Sequence, residues 1–189
     1  MPKFHCVVDT SALLKRYRDE AGTEIIRTLF NREDCAIHVL NVSIPEVTGA
    51  FVRWQLDGML KPVQRDALLK LFIEDIKEYR VIIHNITHRN IVKTDDIWDN
   101  SISVQPPKQP GISRQVKCPK CGQSFSENVN SYNRRIGPVD VLVLSVCLEI
   151  QKAYGKAYLF SSDGHMLNIA AQKLGIKIHN PETLHHLPF

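Results

Sequence analysis

Residues 4–11 read Phe4-His5-Cys6-Val7-Val8-Asp9-Thr10-Ser11. A short apolar run that ends in an aspartate and two hydroxyl residues predicts a β-strand followed at once by the start of a helix. The apolar run favours a strand that is buried in a sheet. Asp9 is then left at the carboxyl end of that strand, which makes it a candidate functional carboxylate.

Strands and helices alternate along the rest of the chain. Apolar patterning predicts further strands at 36–40, 81–86, 157–160 and 176–178. It predicts helical structure at 12–30, 43–56, 63–79, 89–98, 139–150 and 164–174, with the first of these segments forming one helix or two. This alternation is typical of a parallel sheet covered on both faces. We therefore predict an α/β fold with three α/β/α layers around a central, mainly parallel sheet.

Length and composition limit the class of protein. The 189 residues fit one domain, and 43% apolar with 23% charged residues excludes a disordered chain. No apolar run is long enough to span a bilayer, so we expect no membrane association. Five cysteines cannot all pair with one another, and no secretion signal is visible, so we expect a reduced, cytoplasmic protein. Cys6 and Cys147 lie in apolar runs and are predicted to be core residues.

The composition changes abruptly between residues 99 and 136. This segment is rich in Ser, Asn, Gln and Pro, and Pro106-Pro107 and Pro110-Gly111 interrupt regular structure. It is too long for an ordinary connection. We predict a single domain spanning residues 1–189 that carries an irregular insertion at 99–136.

The insertion also holds the whole net charge of +4. It contains six Lys or Arg residues and two acids, whereas the other 151 residues carry 18 of each sign. Cationic groups of this kind bind nucleic-acid phosphates, and the candidates are Lys120, Arg134 and Arg135. Phe125 and Tyr132 offer rings on which unpaired bases can stack. The alternative is a solvated loop that only increases solubility.

Three further acids are expected beside Asp9. Asp163 follows the strand at 157–160, Glu46 lies at the start of the helix after the second strand, and Asp140 lies at the start of the helix that precedes 157–160. In a parallel α/β sheet all of these positions lie at the carboxyl edge of the strands, where sites form. Connectivity alone therefore predicts that the four carboxylates converge.

Each acid also has a local structural explanation. Asp9 and Asp163 suit helix N-caps, Ser43 and Glu46 suit a capping box, and Asp140 complements a helix dipole. Their joint placement favours a functional role, because clustered carboxylates repel one another without a cation. Oxygen ligands select Mg²⁺ or Mn²⁺, and such a site suits hydrolysis of a phosphodiester.

These motifs resemble those of the PIN-domain ribonucleases, and among them the VapC-like toxins of toxin–antitoxin pairs. The resemblance rests on Val7-Val8-Asp9-Thr10-Ser11, Val42-Ser43-Ile44-Pro45-Glu46, Gly137-Pro138-Val139-Asp140 and Phe160-Ser161-Ser162-Asp163. It covers about residues 1–98 and 137–189. The individual motifs are short, and their order and spacing carry most of the likeness.

The resemblance implies a metal-dependent endoribonuclease that hydrolyses RNA with a Mg²⁺- or Mn²⁺-activated water. Four residues would be catalytic and would ligate the metal directly or through water: Asp9, Glu46, Asp140 and Asp163. Ser11, Ser161 and Ser162 would support these ligands or a phosphate. The implied partners are an RNA substrate, an antitoxin protein and a second copy of the chain.

Two departures from the family keep other functions open. Many relatives carry one more acid where this chain has His165, which leaves the number of catalytic metals open. Compact toxins usually lack an insertion such as 99–136. A nuclease of RNA maturation, or a non-catalytic module that binds RNA or protein on the same fold, therefore stays an alternative.

Cys118 and Cys121 form half of a zinc-binding signature. They occur in Lys117-Cys118-Pro119-Lys120-Cys121-Gly122, and two thiolates at this spacing can share one structural Zn²⁺. The missing ligands would come from a second subunit or from one of four histidines: His84, His88, His185 and His186. The alternative is a loop with two free thiols.

The charge asymmetry gives a first testable prediction. Deleting residues 99–136 is expected to weaken RNA binding and to flatten its dependence on salt, because fewer cations would meet phosphates. Filter binding across a salt series measures both quantities. Unchanged affinity and salt slope would show that the basic insertion has no part in RNA binding.

Overall fold

The computed structural model describes residues 2–78, 81–102, 112–117, 124–129 and 136–189. Within these ranges the strands are β1 (Phe4–Val8), β2 (Cys35–Leu40), β3 (Val81–His84), β4 (Ile112–Lys117), β5 (Ser124–Val129), β6 (Tyr158–Phe160) and β7 (Lys177–His179). The helices are α1 (Thr10–Leu13), followed by a short 3₁₀ turn (Leu14–Arg16), then α2 (Thr23–Phe30), α3 (Ser43–Leu56), α4 (Pro62–Lys77), α5 (His88–Ile102), α6 (Pro138–Tyr154) and α7 (Gly164–Leu174).

Five strands form the central sheet in the order β3-β2-β1-β6-β7, and every neighbouring pair is parallel. The predicted parallel sheet is confirmed. β1 lies in the middle, with Val7 opposite His38 of β2 and Val8 opposite Phe160 of β6. After β1 the chain first adds β2 and β3 on one side of that strand, and it later returns to add β6 and β7 on the other side. Such a reversal of strand order marks the crevice where α/β sheets bind ligands.

Helices cover both faces, which gives the predicted three layers. On one face α5, α6 and α7 pack on β1 and β6, and Val7, Leu144 and Leu159 are completely buried there. On the other face α1 to α4 pack around the large side chains of Phe51 and Phe72. Each face therefore has its own apolar core, with the sheet between them.

Helix α6 is buried as its apolar sequence predicts. Side chains on several sides of the helix are enclosed, among them Val141, Leu144 and Cys147. This is possible because α6 contacts the sheet as well as α5 and α7. Cys6 and Cys147 are both fully buried, which confirms their prediction as core residues.

The prediction of an irregular insertion is wrong for part of the segment. Strands β4 and β5 form an antiparallel pair whose backbone register aligns Ile112 with Val129 and Lys117 with Ser124. Helix α5 continues to Ile102, and Ile136 belongs to the core beside α6. A deletion that spares the core would therefore replace residues 103–135 and retain α5, which carries the core residue Ile97, together with Ile136.

Several sequence predictions fall outside the described residues. These are the cysteine pair and the basic and aromatic candidates of the connecting segments: Cys118, Lys120, Cys121, Tyr132, Arg134 and Arg135. They stay predictions.

No helix in the described ranges has the length and apolar composition that a membrane crossing requires.

The segment around Glu182 is fastened to the turn that precedes α2. Lys15, which is 3% exposed, donates to Glu20 at 2.9 Å and to Glu182 at 2.8 Å. Gly22 has a φ of +88°, and a Cβ there would lie 2.7 Å from the carbonyl carbon of Pro181. Glycine is therefore required at this position by its backbone angle and by the close approach of the Pro181 carbonyl.

A row of three histidines crosses the sheet on neighbouring strands. His5 Nδ1 lies 3.0 Å from His38 Nε2, and His38 Nδ1 lies 2.8 Å from His84 Nε2. The ring of Tyr154 stacks on His5 at a centroid distance of 3.7 Å. His84, one candidate zinc ligand, is thus paired with His38.

Burial keeps this row uncharged. His38 is 2% exposed, and desolvation, helped by its two histidine neighbours, lowers its pKa to about 3. Burial also lowers the pKa of His5 and of His84. The rings are therefore neutral near pH 7, and each hydrogen bond joins a protonated nitrogen to a bare one.

The row gives a prediction about acid stability. In the unfolded chain His38 takes up a proton near pH 6.5, whereas in the folded protein it does so only near pH 3. The unfolded state thus binds more protons between these values, so the free energy of unfolding falls as the pH drops through this window. For this one group the loss is about 2 kcal/mol by about pH 5.

His38→Phe removes the titrating group. The free energy of unfolding is therefore expected to fall by about 2 kcal/mol less than in wild type between about pH 7.5 and about pH 5. Urea denaturation at both pH values measures it. His185→Phe, at an exposed histidine, serves as the control and should keep the wild-type pH dependence. Equal pH dependence in wild type and His38→Phe would show that His38 does not resist protonation in the folded protein.

Candidate active site

Asp9 lies at the carboxyl end of β1 and caps α1. Its Oδ2 accepts hydrogen bonds from Ser11 N at 3.2 Å, Ser11 Oγ at 2.7 Å and Ser161 Oγ at 3.1 Å. The residue is 6% exposed. The N-cap explanation is therefore correct for Asp9, and two side-chain hydroxyls hold the same oxygen in addition.

Asp163 occupies the equivalent place after β6 and caps α7. Its Oδ1 accepts from His165 N at 2.8 Å and from Met166 N at 3.0 Å. Its own backbone N donates to Ser161 Oγ at 3.0 Å. Ser161, which is completely buried, therefore links the loop of Asp163 to the carboxylate of Asp9.

Ser11 and Ser162 add a second link between the same two loops. The backbone N of Ser162 donates to Ser11 Oγ at 3.0 Å. The hydroxyl of Ser162 makes no hydrogen bond to the four candidate acids. Among the predicted supporting residues, Ser11 and Ser161 thus contact Asp9 directly, and Ser162 contacts the site through its backbone.

Glu46 is positioned by a contact that the sequence did not indicate. Its Oε2 accepts from Thr10 Oγ1 at 2.5 Å. The predicted capping box with Ser43 is wrong, because α3 already includes Ser43 and is capped by Val42 without a side-chain bond. Ser43 already belongs to the helix and therefore cannot serve as its N-cap residue. The Glu46 carboxylate accepts a hydrogen bond from Thr10 instead.

Asp140 lies in the first turn of α6, as predicted. Its Oδ2 accepts from Gly137 N at 2.9 Å, which satisfies one free amide of the helix start. A Cβ on Gly137 would lie 2.9 Å from that same oxygen. The absence of a side chain at 137 therefore leaves room for the carboxylate to fold back on the helix terminus.

The four carboxylates share one pattern. In each, one oxygen accepts the hydrogen bonds just described, and the other accepts none from the part of the chain that the structure describes. The second oxygens are Asp9 Oδ1, Glu46 Oε1, Asp140 Oδ1 and Asp163 Oδ2. Each acid is thus anchored and still has an oxygen available to a ligand.

The pKa of Asp140 reflects both its burial and the charges of the other three acids. Burial raises its pKa to about 6, the bond from Gly137 opposes the increase, and the negative charges of Asp9, Asp163 and Glu46 add to it. Asp140 is therefore close enough to the other three acids for their charges to repel its own. A bound cation would relieve this repulsion.

The donor set fits a hard divalent cation. All four side chains offer carboxylate oxygens, which suit Mg²⁺ and Mn²⁺. Asn41 Oδ1, Ser43 Oγ and His165 Nδ1 lie at the same edge, are buried, and have no hydrogen-bond partner among the described residues. These atoms can bond to polar species such as the water shell of an ion. Within the described ranges, no three His, Cys, Asp or Glu side chains are placed to contact one ion together.

Thr10 and Gly137 are the residues that sequence reasoning missed. Thr10 lies between Asp9 and Ser11 in the first motif, but its partner Glu46 is 36 positions away. No local pattern reveals such a pairing. Gly137 leaves a signal in the sequence, since this glycine lies three positions before Asp140, but only the structure shows that it makes room for that acid.

The comparisons with known proteins address the fold. No family model matches the sequence, and a search of curated proteins gives no match. Among solved structures, the chain is similar to one in the crystal structure of VapBC2 from Rickettsia felis bound to a DNA fragment from their promoter. The TM-score is 0.53, with 10% identity, over 94% of this chain and 98% of that one. At this identity the likeness shows the fold alone, which is PIN-like and α/β.

The charge repulsion gives a prediction about stability. Asp140→Asn keeps an oxygen for the Gly137 amide and removes the charge, so the metal-free protein is expected to be more stable by about 1 kcal/mol at about pH 7.5. This corresponds to an increase in Tm of about 2–4 °C, measured by thermal unfolding in a chelator. Because the pKa of Asp140 is raised to about 6, the difference should vanish below about pH 4, where both forms are neutral.

Glu33→Gln, which removes an exposed acid, is the matched control and should leave the Tm nearly unchanged. If Asp140→Asn lowered the Tm or left it unchanged at about pH 7.5, the repulsion inferred between Asp140 and the other three acids would be wrong.

Proposed function

We propose that this protein is a metal-dependent endoribonuclease that hydrolyses RNA phosphodiester bonds. The observation that carries the proposal is the set of four carboxylates at the carboxyl edge of the sheet, each anchored by one oxygen with the other available. A structural role alone would require the anchored oxygens and would gain nothing from placing four like charges together.

The four acids would hold Mg²⁺ or Mn²⁺ directly or through water bound to the ion. The ion would supply an activated water and offset charge on the phosphate. The protein supplies the positioning: Ser11 and Ser161 fix Asp9, and the start of α7 fixes Asp163. Asp140 and Glu46 complete the acidic edge from α6 and α3.

RNA is the substrate class that best matches the charge distribution. The acidic edge would repel a polyanion unless cations lay nearby, and the insertion contributes the surplus of positive charge. Lys120, Arg134 and Arg135 are the proposed phosphate contacts, and the last two precede α6, which carries Asp140. The insertion would then guide RNA toward the acids.

We further propose a toxin role with an antitoxin partner and a homodimeric assembly. The motif resemblance to VapC-like toxins supports this role, as does a fold shared with a chain in the crystal structure of VapBC2. The insertion favours RNA maturation as the second candidate. Growth arrest on expression, relieved by a small co-expressed partner, distinguishes the toxin from the maturation enzyme.

Cys118 and Cys121 are proposed to hold a structural Zn²⁺. They lie in the segment that connects β4 to β5, and an antiparallel pair with two cysteines between its strands suits a compact metal site. Such a site would order the basic insertion without taking part in hydrolysis.

The central prediction concerns RNA cleavage. Asp9→Asn and Asp140→Asn each remove one charged ligand and are expected to lower the cleavage rate in Mg²⁺ or Mn²⁺ by at least about 100-fold. Gel analysis of a labelled single-stranded RNA measures the rate, and circular dichroism checks that the fold survives. Glu33→Gln, at an exposed residue just before β2 and so at the amino edge of the sheet, opposite the acids, should cleave at the wild-type rate.

Full-rate cleavage by Asp140→Asn would contradict a nuclease that depends on these acids. RNA binding without divalent ions, together with no cleavage of any RNA by the wild type, would instead support the non-catalytic binding module.

A further inference from the structure

Glu46 differs from the other three acids in how it is held. Asp9 accepts three hydrogen bonds and Asp163 accepts two, and Asp140 is tied to a backbone amide of its own helix. Within the described residues, Glu46 has one hydrogen bond, and its donor is the Thr10 hydroxyl. A single side-chain contact therefore fixes this carboxylate.

The cost of losing that contact is greatest for a glutamate. Glu has one more rotatable bond than Asp, so a free Glu46 carboxylate would sample more positions than a free aspartate. Glu46 is also partly exposed at the start of α3, and no helix-capping bond holds it. Without Thr10, binding an ion would first require this side chain to be ordered.

The connection also ties two elements of the site together. Thr10 directly follows Asp9 and is the first residue of α1, whereas Glu46 belongs to α3. The adjacent residues Asp9 and Thr10 thus supply one acid of the site and position a second. Hydrogen-bond partners that orient metal ligands typically change metal affinity by about 10- to 100-fold when they are lost.

We propose that Thr10 is a positioning residue that orients Glu46 for divalent-cation binding through the hydrogen bond from Thr10 Oγ1 to Glu46 Oε2. This inference rests on the proposed function, because it assumes that Glu46 is a ligand. Thr10 itself need not touch the ion or the RNA.

The test measures Mn²⁺ binding by calorimetry and by the electron paramagnetic resonance signal of free Mn²⁺, with no RNA present. Thr10→Val replaces the hydroxyl by a methyl of similar shape and is expected to weaken Mn²⁺ binding about tenfold. Thr10→Ser keeps the hydroxyl and is expected to retain affinity within about twofold of wild type. The Tm of all variants in a chelator should be similar.

Thr48→Val is the matched control. Thr48 lies on the same helix as Glu46, and among the described residues its hydroxyl donates only to backbone carbonyls of Ile44 and Pro45, at 3.1 and 3.2 Å. Removing that hydroxyl is expected to leave Mn²⁺ affinity unchanged. A loss of affinity in Thr10→Val together with no loss in Thr48→Val assigns the effect to the bond with Glu46.

A double-mutant cycle decides whether Thr10 acts through Glu46. Adding Thr10→Val to a Glu46→Gln protein should weaken Mn²⁺ binding no further, because the ligand that Thr10 orients is already altered. Wild-type affinity in Thr10→Val, or an equal loss in the Glu46→Gln background, would overturn the inference and leave the proposed function standing. A wild-type protein that bound no Mn²⁺ would overturn both.

Discussion

The hydrogen bond from Ser161 to Asp9 joins two positions 152 residues apart, and the site depends on it. It exists because β1 and β6 are neighbours in the middle of the sheet and end at the same level. Each of these strands is followed by a loop that starts a helix, and the buried Ser161 hydroxyl lies between the two loops. The parallel pairing at the centre thus determines where both aspartates lie. The outer strands extend the sheet, and α3 and α6 bring the remaining acids to the same edge.

The energetic cost of this arrangement falls on Asp140. A carboxyl group whose pKa is raised by burial and by three like charges destabilises the metal-free fold at neutral pH. The cores on both faces of the sheet offset that cost, since Leu144, Leu159 and Phe51 are fully enclosed. A site that is unfavourable without its ligand is typical of proteins in which function and stability place opposite demands on the same residues.

Those parts of the fold and of the candidate site that depend on local sequence pattern and on connectivity could be predicted from the sequence. The apolar run before Asp9, the uninterrupted apolar character of α6 and the order of the four acids were enough to place three layers and one acidic edge. These features follow from burial and from the geometry of parallel sheets, and both leave a periodic signal. The hairpin of β4 and β5 left a weaker signal, because polar residues and flanking prolines obscure its alternation.

Contacts between distant side chains could not be predicted in the same way. The capping box at Ser43 failed because α3 begins one residue earlier than the motif requires, and a shift of one residue gave Glu46 a different partner. The row formed by His5, His38 and His84 depends on the register of three strands, which no single segment encodes. Such pairings are decided by tertiary structure, so they become visible only once the strands are aligned.

Gly137 shows how a residue without a side chain can be tied to chemistry. Its φ of −70° is one that any residue adopts, so its backbone does not call for glycine. What favours glycine is the oxygen of Asp140, which lies only 2.9 Å from where a Cβ would be, so a larger residue would displace the carboxylate. Glycine at this position therefore matters for the acid and not for the helix. Without the Asp140 carboxylate, Gly137 could be replaced freely, whereas with it a larger residue would move that carboxylate from its place beside the Gly137 amide.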